Sequence, residues 1–470
     1  MQMHENELLS QFHSVHLQED MCKGCTICVT GCPVEAIRVR DGKAHILEKR
    51  CIDCGECIRH CPSKAKYSLT STIDELASYT FKAALITPSI YGQFNMHYSK
   101  QQIHNAFKSL GFTHVYDVSE DALTVSRATA YFLTHEKNLP KPIISSSCPT
   151  IVKLIEVRFP SLLDNILPLL PPVELCARRA RADLQALAKA DNSVGVFLIA
   201  PCSAKITVAR SPVGYDKTAM DGAFAFEKLY LPLVTALRKM RSDEKQVVKE
   251  IAEELDAVKV LSPEERATKI PKVAKFYTDA PDGLAWGRES GEAEYVAHFL
   301  EHPENFNWIT ACGIQQVIET LEAIEDGQMN QYDFAELDAC AGGCINGPLM
   351  IKPASEGLAV MRNRLRFSRA ARDKVPVPDL TAEDIAAISL TNQISPRPAR
   401  QLSGDFVTAR KMMQNMEDIV AQLPGLDCGS CGAPNCRALA EDIVRHRATL
   451  EDCVTIMKSR YEELLFGNKH

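Results

Sequence analysis

No apolar run in this 470-residue sequence reaches the roughly 20 residues that a membrane-spanning helix needs. The best candidate, around Leu162 to Leu175, is broken by Asp164, Asn165 and several prolines. The opening, Met1-Gln2-Met3-His4-Glu5-Asn6-Glu7, is polar and acidic and leads into no signal-peptide core. An excess of basic charge is also lacking: 53 basic and 60 acidic residues leave a net charge of −7, which argues against nucleic acid or an anionic membrane as a partner. These absences predict a soluble, cytoplasmic protein. Apolar content of 46% and charged content of 24% are ordinary for globular chains, and the length predicts more than one packed unit.

What the sequence has is cysteine, 18 in all. All but Cys176 and Cys312 belong to groups whose spacing, in a chain without an export signal, reads as metal binding rather than disulfides. The two left over are expected to be small buried apolar residues.

Residues 22–33 read Cys-Lys-Gly-Cys-Thr-Ile-Cys-Val-Thr-Gly-Cys-Pro, and residues 51–62 read Cys-Ile-Asp-Cys-Gly-Glu-Cys-Ile-Arg-His-Cys-Pro. Both follow the bacterial two-cluster ferredoxin pattern, in which the fourth cysteine of each run ligates the other cluster. Cys22, Cys25, Cys28 and Cys61 are therefore expected to hold one 4Fe-4S cluster, and Cys51, Cys54, Cys57 and Cys32 a second. Three thiolates in one short loop cap three irons, and the fourth arrives from the other half of the domain. Disulfides or a zinc site are the alternatives, but zinc sites lack this doubled four-cysteine spacing. Between the runs, Asp41-Gly42 joins two short apolar stretches as a hairpin would.

A third group lies near the C-terminal end, in Leu423-Pro-Gly-Leu-Asp-Cys428-Gly-Ser-Cys431-Gly-Ala-Pro-Asn-Cys436, followed by Cys453. Gly429 and Gly432 would let backbone amides approach cluster sulfurs. Four cysteines alone also suit zinc. The segment resembles the small 4Fe-4S domain found in the B subunit of Rnf complexes and in corrinoid iron–sulfur proteins, and on that likeness it holds a third accessory cluster.

The intervening residues alternate short apolar runs with helical patterns, as a largely parallel α/β sheet does. Strands are expected at 83–87, 142–145, 194–199 and 307–310, and ligands in such folds bind at the carboxyl ends of strands. Cys148 follows the second of these, in Ser145-Ser-Ser147-Cys148-Pro149, just before a helix whose start favours a thiolate. Cys202 follows the third, in Ala200-Pro-Cys202-Ser-Ala-Lys205. Cys340 and Cys344 flank Ala341-Gly342-Gly343, where paired glycines permit close backbone approach.

These three segments, in this order, resemble the three cysteine motifs of the catalytic domain of iron-only (FeFe) hydrogenases. The resemblance spans about residues 80–365 and implies that Cys148, Cys202, Cys340 and Cys344 hold a 4Fe-4S cluster. Cys344 would also bridge to a diiron subcluster carrying CO, cyanide and an azadithiolate, together forming the H-cluster. Lys205 stands where the family's lysine meets a cyanide. The segments Trp286–Glu294 and Tyr332–Glu336 match the family's glycine-rich stretch and its lead into the third motif.

The departures fall on the catalytic apparatus. Fast hydrogenases relay protons through a cysteine just before the first ligand; here that position is Ser147, a far poorer acid. The family's acidic relay residues upstream are replaced by Ser126-Arg-Ala-Thr-Ala-Tyr131. Ala200, Ile151 and Asp338 stand for a methionine, a tryptophan and a methionine, and the glutamate after the lysine is missing. The pattern is similar to the sensory or little-characterised groups labelled C and D, and the C-terminal domain with the Ser-Cys-Pro motif points to group D.

The resemblance therefore implies an FeFe-hydrogenase-type oxidoreductase that oxidises H2 or reduces protons slowly, or senses H2 or redox state, with ferredoxin or a signalling protein as partner. The alternative is an electron-transfer or iron–sulfur assembly protein holding only 4Fe-4S clusters. The expected architecture is a ferredoxin-like α+β domain (1–75), an α/β H-cluster domain of mostly parallel sheets (80–365), a linker (366–402) and a small helical cluster domain with its leading helix (403–470). Arg241 to Arg266 reads as an exposed charged helix or insertion. His13, His16 and His60 belong to no motif and are expected to be surface or structural residues.

Overall fold

The computed structural model describes residues 12–466 apart from 137, 190–192, 258–282 and 369–379. The polar start, the end of the charged stretch and the linker prolines Pro376 and Pro378 lie outside the described residues. The chain forms two compact units: one of Met1–Leu69, Lys153–Leu163 and Ser395–His470, the other of Thr70–Val152 and Asp164–Ile394. Among the described residues no helix is long and apolar enough to cross a membrane.

The first unit holds four short strands, β1 (Val15–Leu17), β2 (Ile37–Arg40), β3 (Lys43–Ile46) and β4 (Lys66–Ser68). β1 pairs with β4 and β2 with β3, both antiparallel. The β2–β3 hairpin turns on Asp41 (φ 51°) and Gly42 (φ 71°); left-handed conformation at both positions is what a two-residue turn between right-twisted strands requires. An internal duplication shows in the backbone. Cys32 Sγ accepts from Ala36 N–H and Cys61 Sγ from Ala65 N–H, each at 3.2 Å, and Glu35 and Lys64 share φ 55°.

One position of the repeat differs in kind. Gly24 and Asp53 both have positive φ between paired cysteines, but a Cβ at Gly24 would lie 2.6 Å from Gly42 O. Asp53 has room and is fully buried. Its carboxylate takes His13 Nδ1 at 2.9 Å and Lys153 Nζ at 2.8 Å. Burial opposes its charge, but these two partners win and lower its pKa to about 2. His13 is thus a structural residue, as is His16, whose Nε2 meets His13 O at 2.9 Å. His60 is exposed and meets Glu56 O of its own helix at 2.9 Å.

The second unit is built on two all-parallel sheets. β5 (Phe81–Ile86), β6 (His114–Asp117), β8 (Val194–Ala200) and β9 (Gly222–Ala225) lie in the order β6-β5-β8-β9, and β7 (Ile143–Ile144), β10 (Trp308–Cys312) and β11 (Phe334–Asp338) in the order β10-β11-β7. The central strands β5 and β8 read as continuous apolar runs because both faces are covered. Ala84, Ile86, Phe197 and Ile199 face one core with Phe107 and Phe224, while Ala83, Leu85, Val196 and Leu198 face another with Val173, Cys176 and Ala177. Cys176 is fully buried. The helix Phe226–Ala257 carries the first part of the charged stretch. The segment around the helix Ala382–Ala387 returns to this unit, where Leu390 N–H donates to Pro168 O at 2.9 Å and Ser389 bridges Leu169.

Candidate functional site

Three cysteine-bearing loops leave the carboxyl ends of β7, β8 and β11. Cys148 precedes the helix Pro149–Arg158, with the proline at its first position. Cys202 is the N-cap residue of the helix Ser203–Val208, and Cys344 opens a short 3-10 turn, Cys344–Asn346. Close backbone approach joins the loops. Leu349 N–H donates to Pro201 O at 3.0 Å, and a Cβ at Gly347 would lie 2.3 Å from that same oxygen. Gly342 and Gly343 take φ of 83° and 87°, and a Cβ on Gly343 would meet Glu289 N at 2.7 Å. The paired glycines therefore serve contact with the Arg288–Glu289 backbone.

Lys205 stands at the centre. It is 7% exposed, and its Nζ lies 3.5 Å from Cys344 Sγ. Burial opposes the ammonium charge, but the negative charge that Cys344, Cys202 and Cys148 carry when ionised, with that of Asp338, more than compensates and raises its pKa. Burial pushes the thiols of Cys148 and Cys202 up and that of Cys344 to about 11, while Lys205 pulls each down. Soft sulfur donors that keep their protons until metal displaces them, gathered on one cation, suit an anionic iron–sulfur cluster. Cys340 begins the Cys344 loop, its carbonyl accepting from Gly343 N–H at 3.0 Å.

Beside Cys344 and Lys205 opens a small cleft of about 50 Å³, lined also by Ser147, Trp286, Glu292, Glu336 and Asp338. Ser147 Oγ and Glu292 Oε1 are both buried there, and a contact with Ser147 partly offsets the rise in the glutamate's pKa. Glu292 Oε2 accepts from Ser145 Oγ at 2.7 Å, and Glu336 Oε2 accepts from Ala293 N–H at 2.8 Å. Burial, then the charge of Asp338, raises the pKa of Glu292; burial, then Asp338 and Glu292, raises that of Glu336. Such groups hold protons where exposed carboxyls would not. A cleft beside Cys344 with buried polar side chains in its wall suits a polar group carried on that sulfur.

Glu292 was not legible as a site residue in the sequence, because an acidic residue in the first turn of a helix also serves the helix dipole. That helix is Gly291–Phe299, entered through Ser290 at φ 61°. A Cβ on Gly291 would sit 1.9 Å from Ala285 O. Gly291→Ala should therefore cost about 1–3 kcal/mol, read as a lowered unfolding midpoint. Cys312 departs from the simple buried reading. It is half-buried at the end of β10 and accepts from Gly342 N–H at 3.3 Å, tying that strand to the loop of Cys340 and Cys344.

In the first unit the cysteine runs interleave. Cys28 is pushed up by burial and by neighbouring Cys25, Cys61 and Cys22, and Cys54 by burial and by Cys32, Cys57 and Cys51. Cys431, Cys436 and Cys453 share one small core with the helices Phe406–Gln422 and Cys436–Val444, while Cys428 is exposed at its edge.

Residues 81–348 match the family model described as the iron-only hydrogenase large subunit, C-terminal domain. Residues 14–62 match a 4Fe-4S dicluster domain, and residues 423–455 match an Fe-S cluster domain. Iron hydrogenase 1 of Clostridium pasteurianum is 24% identical over 284 residues, 56% of this chain and 48% of that protein. An uncharacterized protein of Methanocaldococcus jannaschii is 35% identical over 51 residues, 11% of this chain and 23% of the other. The chain thus spans half or less of the length of these curated relatives. Among solved structures, a variant of the FeFe-hydrogenase HydA1 of Chlamydomonas reinhardtii is 14% identical with a TM-score of 0.45, covering 69% of this chain and 98% of that one.

Proposed function

Since the chain belongs to the iron-only hydrogenase large-subunit family, we propose that it is an FeFe-hydrogenase-type oxidoreductase that turns over H2 and protons slowly and serves to sense H2 or redox state. The observation that carries this reading is the meeting of Cys148, Cys202 and Cys344 on Lys205 at the wall of a polar-lined cleft. Cys148, Cys202, Cys340 and Cys344 would hold a 4Fe-4S cluster, and Cys344 would also carry a diiron group in the cleft. When bound, that group supplies the centre at which H2 is split or formed.

The chain's own part is electrostatic and protonic. Lys205 presents a buried cation to the cluster's anionic face. Ser147 hands protons on poorly because its hydroxyl is a weak acid. Glu292, held by Ser145 and kept protonated by burial, stores a proton at its carboxyl beside Ser147. The ferredoxin-type and C-terminal sets would carry electrons to and from a redox or signalling partner. Ser147→Cys should raise H2 turnover about tenfold or more, since a positioned general acid contributes about 10²–10⁴-fold; an H2 uptake assay with a viologen dye measures it.

The deciding experiment is an infrared spectrum of anaerobically purified protein co-produced with hydrogenase maturases. Metal-bound CO and cyanide bands that shift under H2 are the expected result. A full iron–sulfur load without such bands would leave electron transfer or cluster assembly as the function.

A further inference from the structure

The C-terminal cysteine group lies against the ferredoxin-type segment within the first unit, and the contact runs through the cluster loops themselves. Val39 N–H donates to Gly432 O at 2.8 Å, and Arg40 Nη1 donates to Cys431 O at 2.9 Å. Gly432 adopts φ 79°, and a Cβ there would fall 2.1 Å from Val39 O, so the glycine lets the Cys431–Cys436 loop lie on the edge of β2. A Cβ on Gly429 would come 3.0 Å from Thr30 Cγ2 and 4.0 Å from Thr26 Oγ1. Thr26 lies between Cys25 and Cys28, and Gly429 follows Cys428 directly.

The seam is locked by charge. Asp442, on the helix that begins at Cys436, is 3% exposed and accepts from Arg38 Nε at 2.6 Å and from Arg40 Nη2 at 2.8 Å. Arg50 pairs with Glu441 of the same helix, and Asn435 Nδ2 donates to Glu35 Oε1 at 2.7 Å. A buried carboxylate shared by two guanidiniums holds its elements in one register, since each lost partner leaves a charge uncompensated. The outward side differs: Cys428 is exposed, and Leu426 just before it is 63% exposed.

We propose that the C-terminal cluster is wired directly to the first ferredoxin-type cluster, that of Cys22, Cys25, Cys28 and Cys61, across the contact of Gly429 with Thr26 and Thr30. The clusters these cysteines would hold would exchange one electron across it, the C-terminal cluster being oxidised as the first ferredoxin-type cluster is reduced, with no bond broken and no proton moved. The reverse transfer uses the same contact. The inference rests on the iron–sulfur reading of these cysteine groups and is independent of the diiron centre.

The test is electron paramagnetic resonance of the dithionite-reduced full chain, with iron counted in each sample. The wild-type spectrum should show the first cluster broadened by a neighbouring spin. Cys428→Ala should lose one cluster's iron and narrow the first cluster's signal, leaving only the broadening that the second ferredoxin-type cluster imposes. Asp442→Arg keeps every ligand and sets three like charges together, so it should retain iron while the broadening weakens. If Cys428→Ala loses its iron and leaves a spectrum equal to wild type minus an isolated cluster, the wiring is overturned. If it loses no iron, there is no third cluster to wire.

Discussion

Glu292→Gln should lower H2 turnover by about 10²–10⁴-fold, the usual worth of a positioned acid or base, while iron content stays at the wild-type level. Glutamine keeps the shape of the side chain and can still accept from Ser145, so the cleft retains its form. What it loses is a group able to release a proton beside Ser147. Burial, reinforced by Asp338, raises the folded pKa of Glu292 above its unfolded value of about 4.3. The folded state therefore binds more protons than the unfolded state between those two values, and wild-type stability falls as pH rises across that window. The Gln variant has no such loss. Its stability should match the wild type at acid pH and exceed it increasingly as pH rises toward the folded pKa, while its turnover stays low throughout. A purely structural role for Glu292 predicts loss of stability instead, so a denaturation series against pH separates the two.

Lys205→Met should strip iron selectively from the central cysteine group. The ammonium is the charge that opposes burial and mutual repulsion of Cys148, Cys202 and Cys344, and it is 7% exposed. Methionine fills comparable volume without charge. Removing one partner from a buried charged assembly costs about 3–5 kcal/mol, which corresponds to roughly two to four orders of magnitude in cluster retention. Iron release under a chelator should show one fast population in the variant where the wild type shows none. The ferredoxin-type and C-terminal groups should be unaffected, because the thiols that act on Lys205 are those of Cys344, Cys202 and Cys148. Equal release from both proteins would remove the lysine from any role in holding the cluster.

Much of this protein could be read from residue order. The doubled ferredoxin pattern shows in sequence because cluster ligation needs several thiolates within one short loop, so the chemistry is local. The central strands were legible for a similar reason: burial on both faces leaves β5 and β8 as unbroken apolar runs. The Asp41-Gly42 hairpin followed from the backbone demand of its turn. The iron-only hydrogenase family was visible because its ligands stand at the carboxyl ends of strands, at fixed places in the chain.

Other features depend on juxtapositions that spacing does not encode. Glu292 meets Ser145 from 147 positions away, and neither residue differs locally from a helix-start acid or a loop serine. Asp442 meets Arg38 from 404 positions away, so the seating of the C-terminal group on the ferredoxin-type segment has no local signature. Gly432, expected to let a backbone amide approach a cluster, also lies where a Cβ would fall 2.1 Å from Val39 O, a contact with no local signature. The sequence by itself determined the family and the short cysteine motifs in which its proposed iron ligands stand, because each motif is local to one loop. Only the tertiary structure decided which carboxyls share the cleft and what the C-terminal loops rest on, because low-dielectric contacts form wherever folding brings charges together, whatever their separation in sequence.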